Sequence, residues 1–159
     1  MTRTHASDGY VRQVPVGEAL LTTSTLGRIH YADAFEVGIE HPLERSAEEW
    51  LRTILEGAPL HTRIRLLAAW SAIGLKLRTP GSAGSILGWE IRNRDAGFVM
   101  VGARSRIGMP GELVLRRAND GLLFATFVRH DSLIARRLWA TIETSHVQTV
   151  RSLLERARR

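Results

Sequence analysis

Residues 131–159, DSLIARRLWATIETSHVQTVRSLLERARR, form the longest uninterrupted helical pattern in the chain. Ala135, Leu138, Trp139, Ile142, Val150 and Leu153 fall on one stripe at about 100° per residue, the period of an α-helix with one apolar face. A helix of this kind must bury its stripe against another layer. His146 lies in the middle of that stripe, seven residues after Trp139 and seven before Leu153. Whatever covers the stripe must therefore also satisfy an imidazole.

The preceding residues supply the layer. Residues 27–40 alternate: Tyr31, Asp33, Phe35, Val37 and Ile39 share one face, and His30, Ala32, Ala34, Glu36 and Gly38 share the other. The first face is the more apolar and is predicted to be buried. Asp33 is the one acid on it; a wet position near the strand end, or a hydrogen bond to neighbouring backbone, accounts for it more simply than catalysis. Pro42 ends the strand. Ser46, with Glu49 three residues on, is a capping box for a helix whose apolar side is Trp50, Leu51, Ile54 and Leu55, stopped by Gly57 and Pro59. A second helix is predicted over 62–77, with Leu66, Leu67, Trp70, Ile73 and Leu77 inward, broken by Thr79-Pro80-Gly81.

From there the period changes to two. Strands are predicted over 85–93, 98–106, 112–117 and 122–130, joined by short turns, of which Asp120-Gly121 is the strongest hairpin signal. Asp131 or Ser132 then caps the long helix, Asp131 being the preferred cap. Short connections make the sheet antiparallel. The result is an α+β domain: an antiparallel sheet, two short helices after strand one, and a long C-terminal helix on the sheet's concave face. Residues 1–24 show no clear period and read as a loose arm, ending in a short element at 19–21 that packs on the body.

Composition removes several classes of function. The chain has 159 residues and no cysteine, so it has neither disulfides nor a thiolate nucleophile. A chain this long buries roughly 68–70% of its unfolded surface, enough for one core without staples. No apolar run approaches the roughly 20 residues of a membrane span, and the N-terminus lacks a secretory apolar segment, so a cytoplasmic location is expected. The net charge is +6, but Lys76 is the only lysine among 22 basic residues. That bias points to a GC-rich bacterial coding sequence. The arginines are scattered in pairs among acids, so nucleic acid is not the expected partner.

The element order resembles the START-like, helix-grip (SRPBCC) superfamily, which includes polyketide cyclases, lipid-transfer domains and plant allergens. Within it the chain looks most like an uncharacterised bacterial branch. Tyr31-Ala32-Asp33-Ala34-Phe35 in strand one, and Leu138-Trp139 followed by His146 in the last helix, carry the likeness, which covers residues 27–157. It implies a single domain over 25–159 with about five to six strands; the four strands after the helices are fewer than the superfamily's usual count, which leaves either a smaller sheet or a further strand near 19–25. It also implies an apolar cavity between sheet and helix that takes a hydrophobic small molecule. Tyr31, Phe35, Trp70, Trp89, Ile91, Phe124, Trp139 and His146 are the residues expected to line it. A homodimer is left open.

Formal motifs of catalysis are absent. There is no G-x-S-x-G elbow, H-E-x-x-H or P-loop, and Gly81, Gly84 and Gly88 precede a strand rather than a phosphate-binding helix. The six histidines show no paired ligand spacing, so neither a metal nor a cofactor is expected. His130 shares parity with Val128 and reaches toward the cavity's open end. His146 has two readings: a core histidine satisfied by a neighbour, or a polar anchor and acid–base group in the cavity wall, which makes it the best candidate for a catalytic role. Glu90, Glu112 and Arg129 are its candidate partners. Three functions remain: binding of a hydrophobic small molecule; a cyclase, dehydratase or hydrolase on the same scaffold; and an interaction module without an open cavity.

Overall fold

Alternation along each strand decides which cover each side of the sheet meets. The computed structural model describes residues 9–159. The elements are β1 (Val11–Val14), α1 (Glu18–Leu21), β2 (Tyr31–Gly38), a 3₁₀ turn (Pro42–Glu44), α2 (Ala47–Leu55), α3 (Leu60–Ala72), β3 (Ser85–Ile86), β4 (Trp89–Asp95), β5 (Phe98–Ala103), β6 (Gly111–Arg117), β7 (Gly121–Val128) and α4 (Leu133–Ala157). The strands form one open antiparallel sheet in the order β1-β2-β7-β6-β5-β4-β3.

Three cross-strand rows define the inner face. Asp33, Thr126, Leu113, Val101 and Ile91 lie in register across β2, β7, β6, β5 and β4. Tyr31, Val128, Gly111 and Ala103 form the row on one side of it, and Phe35, Phe124, Leu115 and Val99 the row on the other. Trp50, Leu51, Ile54 and Leu55 of α2, and Val150, Leu153 and Leu154 of α4, close over this face. Each side chain of Val to Phe size removed from water there stabilises the fold by about 1.5–3 kcal/mol.

The outer face is buried as well. Ala34, Met100, Val114, Ala125 and Phe127 pack against Leu20 and Leu26, with Val14, Val16 and Leu21 around them. The segment after β1 is thus a second cover, and Glu112 fastens it. The Glu112 side chain is fully buried and points outward from β6. It accepts from the Ser24 hydroxyl at 2.5 Å, from the Thr25 amide at 3.1 Å and from the Thr25 hydroxyl, with the Arg92 guanidinium 3.4 Å away. Arg92 reaches it by lying on Gly102, where any side chain would collide with the guanidinium.

Several elements differ from expectation. There are seven strands because the stretch read as one strand over 85–93 is a hairpin: Leu87 and Gly88 take φ of 44° and 89°, which turns the chain between β3 and β4. The other extra strand is β1, not a strand near 19–25; residues 19–21 belong to α1, as predicted for a short packed element. β1 escapes detection because an edge strand of four residues is held by its backbone ladder to β2 rather than by an apolar face. α3 ends at Ala72, since Gly74 turns left-handed (φ 81°) and Leu75 bridges to Ser105. The Ser46 cap of α2 is as expected, its oxygen accepting from the Glu49 amide at 3.1 Å. The cap of α4 is Ser132, which accepts from the Ala135 amide at 3.1 Å. Asp131 is held instead by Arg129 through two bonds of 2.6 and 3.0 Å.

Replacing Glu112 by alanine strips the Thr25 amide and two hydroxyls of their shared, buried acceptor, so the variant is predicted to lose at least about 2 kcal/mol of stability. Urea unfolding measures this. A loss within the usual surface range of about 0.5 kcal/mol would mean that Glu112 does not hold the N-terminal cover.

Candidate functional site

Asp33 organises the polar centre of the inner face. Its side chain is only 1% exposed, so its charge depends on protein donors rather than water. Two groups meet the same oxygen. The Tyr31 hydroxyl donates to Oδ2 at 2.6 Å, from two residues along the same face of β2. His146 Nε2 lies 3.0 Å from Oδ2, brought there by the middle of α4. Burial, then the hydrogen bond to Asp33, pushes the Tyr31 phenol well above its ordinary value, so Tyr31 stays protonated and donates.

The other oxygen, Asp33 Oδ1, is buried and has no partner among the described residues. Thr126 sits directly opposite Asp33 in the ladder, and its hydroxyl is also buried and unpartnered. The indole N–H groups of Trp89 and Trp139 are in the same condition. Trp139 packs on Tyr31 with ring centres 4.8 Å apart and on His146 at 5.1 Å. Trp89 lies over the gap left by Gly111, and Trp70 of α3 meets it edge-on at 5.5 Å. Two acceptor-capable oxygens and two indole donors are therefore unanswered on one side of the sheet. Buried polar groups in folded proteins are almost always bonded to protein, water or ligand.

A second polar group closes the end of the sheet. The His130 amide donates to Nδ1 of His30 at 3.0 Å, and the two rings stack 5.5 Å apart. His130 also tilts against Trp139. Burial, followed by His30 and Arg136, holds the His130 pKa below its ordinary value. A recess of about 420 Å³ opens beside it, lined by Leu21, Thr22, Ser24, Gly27, Ile29, His30, Tyr31 and Ala32. A second, of similar volume, lies at the far end of α4 around Glu40, Arg45, Thr53 and Arg158.

Of the residues expected to line a cavity, Tyr31, Trp139 and His146 join this centre, while Trp89 stands against Gly111 on the same face with Trp70 edge-on to it. Phe35, Phe124 and Ile91 share the inner face; Phe35 and Phe124 are fully enclosed in the apolar core one row away. None of the candidate partners of His146 reaches it: Glu90 pairs with Arg78, Glu112 turns outward and Arg129 pairs with Asp131. The partner is Asp33, a strand residue 113 positions away. Thr126 is new to the site; a threonine in a strand carries no signal of its own, because β-branched residues are ordinary there. Among the described residues no group of three or more His, Asp or Glu side chains is placed to hold a metal ion.

No protein-family model matches the chain, nor does any curated protein or solved structure. The arrangement itself is compatible with a helix-grip fold, an antiparallel sheet with a long C-terminal helix across it. No helix among the described residues is long and apolar enough to cross a membrane.

Two measurements test these contacts. A double-mutant cycle of Asp33→Asn and His146→Ala is predicted to give a coupling of roughly 1–3 kcal/mol by thermal unfolding; additive losses would mean the pair is not coupled. The depressed pKa of His130 has a definite sign. The unfolded chain binds its proton more readily than the folded one, so stability is full above about pH 6.5 and is lost as pH falls through that value. His130→Gln should flatten that part of the stability–pH curve, and an unchanged curve would remove His130 as its source.

Proposed function

We propose that this protein is a helix-grip domain of the START-like kind that binds a largely apolar small molecule between the inner sheet face and α4. The reading rests on one observation: Asp33 Oδ1 and the Thr126 hydroxyl are neighbours in the ladder, both buried and both unpartnered, on a face that is otherwise apolar. A guest with a hydroxyl or amine donor answers Asp33 Oδ1, and Thr126 can donate to or accept from the same group. Tyr31, Trp89 and Trp139 offer aromatic walls to the rest of it. The recess beside His30 is bordered by Tyr31, the residue whose hydroxyl donates to the buried carboxylate.

An enzyme of cyclase, dehydratase or hydrolase type is the second reading, favoured by a separate feature. Asp33 fixes the Nε2 edge of His146 while that side chain keeps 19% of its surface exposed. A carboxylate that orients a partly accessible histidine is a common way to prepare a general base.

Native mass spectrometry of the protein purified from its own host tests the first reading, with an adduct of small-molecule mass expected. Thr126→Val keeps the shape and removes the hydroxyl, so it is predicted to fold with stability equal to or above the parent's and to lose the adduct at least about tenfold. Absence of an adduct in the parent, or its full retention in Thr126→Val, would remove the ligand site from this position.

A further inference from the structure

α3 is apolar on the wrong side. Its sequence, LHTRIRLLAAWSA, contains no acid, and Leu66 is its only buried residue. Leu60, Ile64, Ala68 and Ala72, four residues apart, form a stripe that faces solvent, with Leu60 64% and Ile64 57% exposed. A helix that only walls a core carries charge on its outward stripe.

The C-terminal end of α3 meets two other segments. The Lys76 amide donates to the Arg104 carbonyl at 2.8 Å, the Arg106 amide to Gly74 at 2.7 Å, and the Asp131 amide to Gly108 at 2.7 Å. From this junction rises the first turn of α4, with Leu133 60% and Ile134 73% exposed. Arg65 is the next residue after Ile64 on α3, Lys76, Arg104 and Arg106 lie at the junction, and Arg136 and Arg137 follow Ile134 on α4; all six are exposed, and none forms an ion pair among the described residues. The nearest acid in sequence, Asp131, is taken by Arg129.

We propose that the outward stripe of α3, with the first turn of α4, is a docking surface for an anionic membrane. Exposed aliphatics enter the boundary between headgroups and acyl chains, and unpaired arginines around them meet acidic headgroups. Charge selects this occupant over a second copy of the chain: a two-fold contact sets the same patch against itself, cation on cation. Nucleic acid has use for the arginines and none for Leu60, Ile64 or Ile134, since stacking on bases needs aromatic or guanidinium planes. The inference is independent of the ligand site, because none of these residues belongs to it.

Flotation with vesicles of phosphatidylcholine, and of phosphatidylcholine with phosphatidylglycerol, provides the test. The protein is expected to float with the anionic vesicles only, and less as salt rises. Arg136→Gln and Arg137→Gln should each weaken binding roughly fivefold. Ile64→Glu and Ile134→Glu, both at exposed positions, should weaken it at least about tenfold with melting temperatures unchanged. Three results overturn the proposal: no binding to anionic vesicles; vesicle binding untouched by both glutamate variants, with duplex DNA bound through the same arginines; or a dimer in sedimentation that Ile64→Glu disperses.

Discussion

A carboxylate enclosed between a sheet and a helix is the constraint on which this structure turns. Asp33 is removed from water, and an isolated charge there is so unfavourable that the group survives only with donors at hand. Tyr31 answers from the same strand and is fixed by β2 alone. His146 answers from α4, and its contact fixes the position of the helix along its own axis: sliding by one turn, about 5.4 Å, carries the imidazole out of reach. Apolar packing of Val150, Leu153 and Leu154 brings α4 to the sheet without choosing a register so strictly. The polar pair chooses it.

That division explains which parts of the site could be read in the sequence. His146 was conspicuous as the one polar residue within an apolar stripe, and Asp33 as the one acid on an apolar strand face. Each anomaly was visible by itself. Their pairing was not, because strand parity does not say which row of the sheet the middle of α4 crosses. Glu90, Glu112 and Arg129 were equally plausible by parity, and each proves to have another partner. Glu112 is the instructive case. Its parity with Val114 sends it to the outer face, where it is as deeply buried as any core residue only because a second layer covers it.

The second layer is also where the fold departs most from its sequence pattern. Long elements with strong periods, α4 and the strands from β5 to β7, lie within a few residues of their predicted ranges. β1 and the β3–β4 hairpin depend on backbone geometry that side-chain alternation does not encode. Leu87 occupies a left-handed conformation that glycine or asparagine ordinarily marks, so Gly88 alone announced the turn. The outer cover is likewise tied by one glutamate to a serine and a threonine that look like loop residues. Alternating apolar residues on both faces of β5 and β7 were the only trace of it.

Tyr31 joins the two sides of this architecture. The residue borders the recess under the N-terminal cover, and its hydroxyl holds the carboxylate on the inner face. Trp139 and His146 pack on the same ring from α4. The cover at Thr22 to Ile29 therefore lies next to the residue that hydrogen-bonds Asp33. Residues 24 and 25 of that cover are themselves fastened to Glu112, so the cover cannot move far while that carboxylate is bonded. The segment that borders Tyr31 is thereby fastened by a buried glutamate on the outer face of the sheet, one strand beyond β7.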